Sequence, residues 1–222
     1  MDRADVVGAV AAAVGAGRPP DCLRVGVDGV DGAGKTTFAD ELARALRAEG
    51  RPVVRVSLDD FHNPRGVRYR RGRESPAGYW LDSYDYARFS ADVLGPLGPG
   101  GSRRYRPRAH DLSTDSTLDE PWLLAAPDAV LVADGLFLQR PELAGAWELV
   151  VFLDVPFAVS VARMAARDGT DPDPAHPSMR RYVDGQRRYL RECTPQRRAG
   201  VLVDNADPAR PRLIRTPRIR ET

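Results

Sequence analysis

The chain has 222 residues, 42% of them hydrophobic, which suits one domain with one sizeable core. Its 33 basic and 31 acidic residues give a net charge of +2, which argues against nucleic acid as a partner. The arginines still cluster near residues 65–73, 103–108 and 180–191. These clusters are either solvated surface or contacts with phosphates and other anions.

The cysteine count and the hydropathy indicate in which cellular compartment the protein is expected. Cys22 and Cys193 are far apart in sequence, which fits neither a metal site nor a disulfide framework. No apolar run approaches the roughly 20 residues that span a bilayer, so a membrane partner is not expected. The N-terminus lacks the pattern of a cleavable signal. These features predict a protein of the reducing cytoplasm.

The hydrophobic pattern predicts strands that alternate with helices. In chain order we expect a helix over 3–15, a strand over 23–27, a helix over 35–48, a strand over 52–58, a loop over 62–83, a helix over 84–94, an irregular or hairpin segment over 95–117, a strand over 129–133, a short helix over 140–146, a strand over 148–153, a helix over 159–167, a loop over 169–178, a helix over 179–193 and a strand over 201–203. Such alternation predicts an α/β fold in which helices cover both faces of a parallel sheet. No linker divides the chain, so residues 1–222 are expected to form one domain.

A phosphate-binding loop is the strongest motif. Residues Gly29 to Thr36 fit the pattern Gly-x-x-x-x-Gly-Lys-Thr, between a predicted strand and a predicted helix. Lys35 is the only lysine in the chain. A compact ammonium group on a flexible stem reaches the β- and γ-phosphates, which a guanidinium fork does not replace. The predicted ATP-binding residues are Gly29, Asp31, Gly32, Ala33, Gly34, Lys35, Thr36 and Thr37.

Acidic residues at strand ends predict the rest of the chemistry. Thr36 would offer its hydroxyl to Mg²⁺, and Asp134 follows a buried strand where an acid organises that ion, unless it only caps a turn. Asp59 and Asp60 end the strand after the loop helix, where a carboxylate accepts a proton from a substrate hydroxyl. A simple turn signal is the alternative for this pair.

The other common classes of phosphate-loop protein lack their signatures here. GTPases read guanine with an Asn-Lys-x-Asp motif, which cannot occur because Lys35 is the only lysine. The Leu-Ser-Gly-Gly-Gln signature of ABC-type ATPases is also absent. A small kinase remains.

Four stretches resemble the uridine kinase/phosphoribulokinase family. Residues 26–37 resemble its phosphate loop, 59–62 its Asp-x-Phe-Tyr segment, and 82–85 its Asp-Ala-Phe-Asp segment. Tyr105 and His110 reproduce a spacing that contacts the nucleobase in uridine kinases. The resemblance covers roughly residues 22–204.

The resemblance implies a fold and an activity. The fold is a three-layer nucleoside-kinase type with a five-stranded parallel sheet and a short lid over about 168–182. The activity is transfer of the γ-phosphate of ATP, with Mg²⁺, to the 5′-hydroxyl of uridine or cytidine. Asp59 is the implied catalytic base, and Arg163 and Arg167 are implied to contact phosphates when the lid closes. Gln186, Tyr189 and Pro195 are similar to a segment after the lid.

The chain departs from this family in two places. Gly78–Trp80 lacks the acid that holds the ribose hydroxyls, and the basic lid motif is replaced by the acidic residues 169–174. The acceptor is therefore a nucleoside or another alcohol, such as pantothenate, a phosphorylated sugar or nicotinamide riboside. A nucleotide-dependent regulatory ATPase is a further alternative. Tyr79 either lines the substrate pocket or covers the core, and assembly into a homo-oligomer is left open.

Overall fold

The computed structural model describes residues 2–16 and 22–216. In chain order its elements are α1 (Arg3–Ala16), β1 (Leu23–Gly29), α2 (Lys35–Ala48), β2 (Val53–Ser57), α3 (Arg65–Arg68), α4 (Pro76–Asp82), α5 (Tyr86–Phe89), β3 (Arg104–Tyr105), β4 (His110–Asp111), β5 (Ser116–Thr117), β6 (Leu123–Leu124), β7 (Val130–Asp134), β8 (Leu149–Asp154), α6 (Phe157–Asp168), α7 (Arg180–Cys193), α8 (Pro195–Arg198), β9 (Val201–Asp204) and β10 (Arg212–Arg215). Short 3₁₀ turns cover Leu58–Phe61, Ala144–Ala146 and Pro177–Met179, and a π-helical turn at Ser90–Leu94 continues α5.

The central sheet has the strand order β10-β9-β8-β1-β7-β2. Its five predicted strands run parallel, as expected. The predicted count of five is one short, because β10 joins the edge antiparallel to β9. The hydrophobic pattern missed β10 because its sequence, Arg-Leu-Ile-Arg, is half exposed at the sheet edge and lacks a buried apolar run.

Alternate side chains of the central strands enter two separate hydrophobic clusters. Val130 and Val132 pack in the cluster that contains α1 and α2. Leu131 and Ala133 pack in the cluster that contains α4 and α7. This alternation follows from the two-residue period of a strand. It confirms the predicted three-layer α/β fold with helices on both faces.

The segment 62–83 is not the continuous loop that its composition suggested. Within it, Arg65–Arg68 form α3 and Pro76–Asp82 form α4, which begins where the Ser75 hydroxyl accepts the N–H of Gly78 at 3.1 Å. Ser75 caps the helix and Pro76 follows at its first position, a start signal that the surrounding arginines and glycines obscured. The helix packs closely on α7, because a Cβ at Gly185 would lie 2.8 Å from the Tyr79 ring.

The predicted irregular or hairpin segment 95–117 contains one short antiparallel pair, β4 with β5. Its other strand, β3, pairs with β6, which lies beyond the predicted segment. In residues 2–16 and 22–216, none of the helices has the length and apolar character needed to cross a lipid bilayer.

Candidate active site

The predicted phosphate loop connects β1 to α2. All seven residues of β1 are buried, and α2 begins at Lys35, directly after Gly34 in the left-handed region at φ 87°. The first N–H groups of a helix have no partners within the helix, and its N-terminus carries a partial positive charge. The start of α2 is therefore suited to a phosphate group.

Two glycines of the loop are required by close packing as well as by backbone conformation. Gly32 has φ 69°, and a Cβ there would lie 2.4 Å from the carbonyl oxygen of Ser160 in α6. Gly29 has φ 155°, and a Cβ there would lie 2.8 Å from the carbonyl oxygen of Leu153. Only glycine fits both demands, so the loop is held against β8 and α6.

Lys35 is extended back over its own loop. Its ammonium group donates a hydrogen bond to the Val30 carbonyl at 2.9 Å. The Ala33 carbonyl accepts a hydrogen bond from the Asn205 side-chain amide at 2.7 Å. The loop is therefore anchored near the C-terminal end of the sheet, with the one lysine placed over it.

Thr36 and Asp134 lie together beside the loop, as the magnesium prediction requires. The Thr36 hydroxyl donates to Asp134 Oδ2 at 2.6 Å. The Arg55 guanidinium lies 2.7 Å from Asp134 Oδ1 as an ion pair, but this buried oxygen has no hydrogen bond within the described residues. Hydroxyl and carboxylate oxygens are the donors that Mg²⁺ prefers, so these side chains fit the ion.

The rest of the described chain offers no competing metal site. Residues 2–16 and 22–216 contain no group of three or more His, Cys, Asp or Glu side chains arranged to hold a metal. Magnesium bound with a nucleotide needs only one or two protein carboxylates, because phosphates and water supply the other ligands.

Asp59 and Asp60 differ in what they face. Asp59 lines a cavity of about 630 Å³, and its Oδ1 accepts a hydrogen bond from the Tyr84 hydroxyl at 3.0 Å. The side chain of Asp60 instead accepts from Arg108 Nε at 3.0 Å and is not among the cavity-lining residues. Partial burial raises the pKa of Asp60, against the lowering effect of Arg108.

The cavity extends from the phosphate loop past Asp59 to a group of arginines. It is lined by Asp31, Asp59, His62, Arg65, Arg68, Tyr69, Arg73, Tyr79, Ser83, Tyr84, Leu112, Leu136, Met164, Arg167, Asp168, Thr170, Arg181 and Tyr182. A volume of this size is typical of a site for a small ligand. Several elements that are distant in sequence therefore meet at one concave surface.

The side chain of Asp31 faces this cavity, which the loop motif alone did not predict. Its Oδ2 accepts hydrogen bonds from the Tyr79 hydroxyl at 2.5 Å and from Gln186 Nε2 at 3.2 Å. Its N–H donates to Gln186 Oε1 at 2.7 Å. Burial raises the pKa of Asp31, while the charge of Lys35 and the Tyr79 hydrogen bond lower it. Tyr79 both packs in the core and lines the cavity, so both alternatives for it apply.

The two arginines of α6 occupy different positions. Arg167 lines the cavity and forms an ion pair with Asp168 at 2.7 Å. Arg163 does not line it, and its guanidinium donates to the backbone carbonyls of Gly32, Asn205 and Ala206 at 2.7–3.2 Å. In this structure Arg163 fastens the loop to the segment after β9.

Tyr105 and His110, the predicted nucleobase contacts, are not among the residues that line the cavity. Tyr105 is half-buried in β3 and packs against the core. His110 is buried in β4, with Nε2 at 3.3 Å from Asp115 Oδ1. Within the described residues neither ring nitrogen of His110 makes a hydrogen bond.

A buried carboxylate behind the loop was not predicted. Asp28 is fully buried in β1, and its side chain accepts hydrogen bonds from the Gly29 N–H at 2.8 Å, from Gln139 Nε2 at 3.2 Å and from the Tyr189 hydroxyl. Burial raises its pKa to about 6, although these hydrogen bonds lower it. An acid directly after the predicted buried strand 23–27 was the available signal, because buried acids require partners.

Solved structures that share this fold include two kinases. A possible uridine kinase from Bacillus stearothermophilus superposes with a TM-score of 0.70 and 25% identity, over 90% of this chain and 96% of that one. A putative fructose transport system kinase from Silicibacter sp. TM1040 gives a TM-score of 0.67 and 23% identity, over 83% of this chain and 94% of that one. At 23% identity, the likeness to the Silicibacter kinase concerns the fold alone.

Curated relatives are kinases named for different acceptors. A uridine kinase from Tolumonas auensis is 26% identical over 161 residues, which cover 67% of this chain and 69% of that enzyme. Thymidylate kinases from Xanthomonas campestris and Xylella fastidiosa are 30% identical, again over 67% of this chain. The match covers 63% of the Xanthomonas enzyme, less than two thirds, and 68% of the Xylella enzyme.

No protein-family model matches the chain. The phosphate loop between β1 and α2, the parallel sheet and the similarity to uridine kinases nevertheless agree with one another. The chain belongs to the uridine kinase-like P-loop kinases, which act on small molecules.

Proposed function

We propose that this chain transfers the γ-phosphate of ATP to a hydroxyl group of a small metabolite bound in the cavity. The observation that carries the proposal is that the carboxylate of Asp59 and that of Asp31, from the phosphate loop, line the same cavity. The loop proposed to bind the phosphate donor ATP and the candidate base for the acceptor hydroxyl therefore border the same cavity. Positioning and charge stabilisation are the main requirements of phosphoryl transfer.

The proposed roles follow from these positions. Lys35 and the backbone of residues 31–36 hold the triphosphate, and Asp59 orients or deprotonates the acceptor hydroxyl. Arg167, on the cavity wall, stabilises charge on the transferring group as residues 168–182 close as a lid. Thr36 and Asp134 would hold Mg²⁺, which would neutralise phosphate charge when bound.

The acceptor is the finer part of the proposal. The similarity to uridine kinases favours the 5′-hydroxyl of uridine or cytidine. The positions of Tyr105 and His110 outside the cavity lend no support to nucleobase contacts from those residues. A kinase for another alcohol fits the same donor site, the same Asp59 and the same cavity.

A screen for ADP release tests the proposal. Purified protein with ATP and Mg²⁺ should release ADP faster when a suitable alcohol is added, and the phosphorylated alcohol should appear in equal amount. The screen should include uridine, cytidine, pantothenate, nicotinamide riboside and sugar phosphates, with Lys35→Ala as the inactive control. ADP release that no acceptor accelerates, with free phosphate as the product, would favour a regulatory ATPase and overturn the kinase proposal.

A further inference from the structure

One end of the cavity is lined by four arginines from two distant segments. Arg65, Arg68 and Arg73 come from the segment that follows Asp59, and Arg181 comes from the first turn of α7. We name these four residues the arginine cluster. Three of its guanidinium groups surround a single ring, because those of Arg68, Arg73 and Arg181 lie 5.3, 5.2 and 5.0 Å from the centre of Tyr69.

The arginine cluster carries more charge than the protein neutralises. Asp115 lies 3.3 Å from Arg68 and accepts the backbone N–H of Arg65 at 3.0 Å. No other member of the cluster forms an ion pair with a carboxylate anywhere in residues 2–16 and 22–216. Among the described residues, Asp115 is thus the one carboxylate paired with the four arginines, while the three acids that line the same cavity contact Tyr79, Tyr84 and Arg167 instead. Like charges held this close repel one another, so an added anion would be stabilised here.

Arg68 also has unused hydrogen-bonding capacity. The residue is only 8% exposed, and its Nε atom is buried without a hydrogen bond in the described part of the chain. A buried donor without a partner is costly, which makes it a candidate contact for a ligand. Arg181, 6% exposed, donates hydrogen bonds to the carbonyls of Arg73 and Ser75. Arg68 and Arg181 are thus the two buried members of the cluster.

We propose that the arginine cluster binds a phosphate monoester group of the acceptor, so that the substrate is a phosphorylated alcohol. This inference rests on the proposed function and names the substrate class of its cavity. Guanidinium forks match the oxygen geometry of phosphate. A phosphate monoester carries about −1.5 to −2 charges at neutral pH, which matches the unbalanced cluster better than the single charge of a carboxylate.

The position of the arginine cluster distinguishes it from the site for the phosphates of ATP. Tyr79 lies between the two: its ring is 5.3 Å from the Arg181 guanidinium, and its hydroxyl bonds to Asp31 of the phosphate loop. The arginine cluster and the phosphate loop are thus separated by about the length of one tyrosine side chain. A small phosphorylated alcohol can span this distance, with its phosphate at the cluster and its hydroxyl near Asp59.

Binding of inorganic phosphate tests the site without requiring turnover. The full chain is first saturated with Mg²⁺ and a non-hydrolysable ATP analogue, and phosphate is then titrated by calorimetry. We expect phosphate to bind, and to bind at least about tenfold more weakly to Arg73→Gln and Arg65→Gln, whose exposed side chains can be changed without disturbing the core. Arg191→Gln, an exposed residue of α7 away from the cavity, is the matched control and should bind as the wild type does.

Two results of that titration would overturn the inference. One is the absence of phosphate binding in the tens of millimolar range. The other is phosphate binding that persists in Arg73→Gln but is seen only when the ATP analogue is left out, because phosphate would then occupy the ATP loop. Acetate is titrated in parallel, and tighter binding of acetate than of phosphate would also contradict the choice of a phosphate monoester.

A matched set of alcohols extends the test to catalysis. Glycerol, glycerate and glycerol 3-phosphate share a three-carbon skeleton and differ in the group offered to the cluster. We expect kcat/KM to be highest for the phosphate ester by at least about tenfold, with that preference reduced in Arg73→Gln and kept in Arg191→Gln. Rapid turnover of uridine that Arg73→Gln leaves unchanged would refute this inference while upholding the kinase. Acceptor-independent ATP hydrolysis would refute the kinase, and the phosphate titration would still decide the cluster.

Discussion

The buried carboxylate of Asp28 makes a quantitative prediction about stability and pH. Burial raises its pKa in the folded protein from 3.8 to about 6. The folded state then binds the proton more tightly than the unfolded state, so this group favours folding at low pH and loses that contribution as the pH rises through about 4 to 6. With each pKa unit worth about 1.4 kcal/mol, the whole effect is on the order of 3 kcal/mol.

The substitution Asp28→Asn removes the titrating group while keeping its shape. Unfolding by urea at pH 7 and pH 5 gives the free energy of unfolding of each protein. On moving from pH 7 to pH 5, the wild type should gain about 1.4 kcal/mol relative to Asp28→Asn, since roughly one pH unit of that range lies below the folded-state pKa. Comparing the two proteins cancels the titration of all other groups that the substitution leaves undisturbed.

A second substitution checks the cause of the shift. The hydrogen bond from Tyr189 lowers the pKa of Asp28, so Tyr189→Phe should raise this pKa further and extend the pH-dependent range upward. Identical pH dependence in the wild type and Asp28→Asn would refute the reasoning, because it would mean that burial does not perturb this carboxyl group.

The remaining predictions concern activity. Lys35→Arg should lose at least about 10²-fold in turnover at saturating ATP, since a planar fork does not replace the ammonium group, and near-normal turnover would refute this role. Asp59→Asn should lower turnover by about 10²-fold or more with ATP affinity nearly unchanged. Asp60→Asn should lower turnover much less, because the Asp60 side chain pairs with Arg108. A larger loss in Asp60→Asn than in Asp59→Asn would mean that the base is misassigned. His110→Ala should leave the acceptor KM within about twofold and lower the free energy of unfolding by about 1–2 kcal/mol, whereas a tenfold rise in that KM would restore the nucleobase contact implied by the resemblance.

The parts of the fold that sequence predicted well have strong local signals. The helix over 35–48 has the predicted bounds, because a glycine-rich loop starts it and Gly50 follows it. The buried strands were found because they are continuous apolar runs between turn signals. Strand β10 and helix α4 were missed because a half-exposed edge strand and a short helix among arginines resemble irregular chain.

The site could be predicted only where its residues belong to one motif. Asp31 meets Tyr79 and Gln186, which are 48 and 155 positions away, so no local pattern signals their contact. The spacing of Tyr105 and His110 suggested that both side chains face one ligand. In the structure they pair with different strands, at Leu123 and Thr117, and neither is among the residues that line the cavity.

The lack of an acid in residues 78–80 of α4 illustrates how tertiary structure can bring a carboxylate to a site from another element. Residues 78–80 carry no carboxylate. The Tyr79 hydroxyl, however, donates a hydrogen bond to the carboxylate of Asp31, so the phosphate loop supplies a carboxylate beside this helix. At the other end of the cavity, three of the arginines that the sequence left as either solvated surface or anion contacts converge on Tyr69. A neutral nucleoside would leave those charges unbalanced, whereas an acceptor with a hydroxyl at one end and an anionic group at the other would engage both. The distribution of charge along the cavity thus bears on the acceptor more directly than the family resemblance does, since the resemblance concerns mainly the donor side.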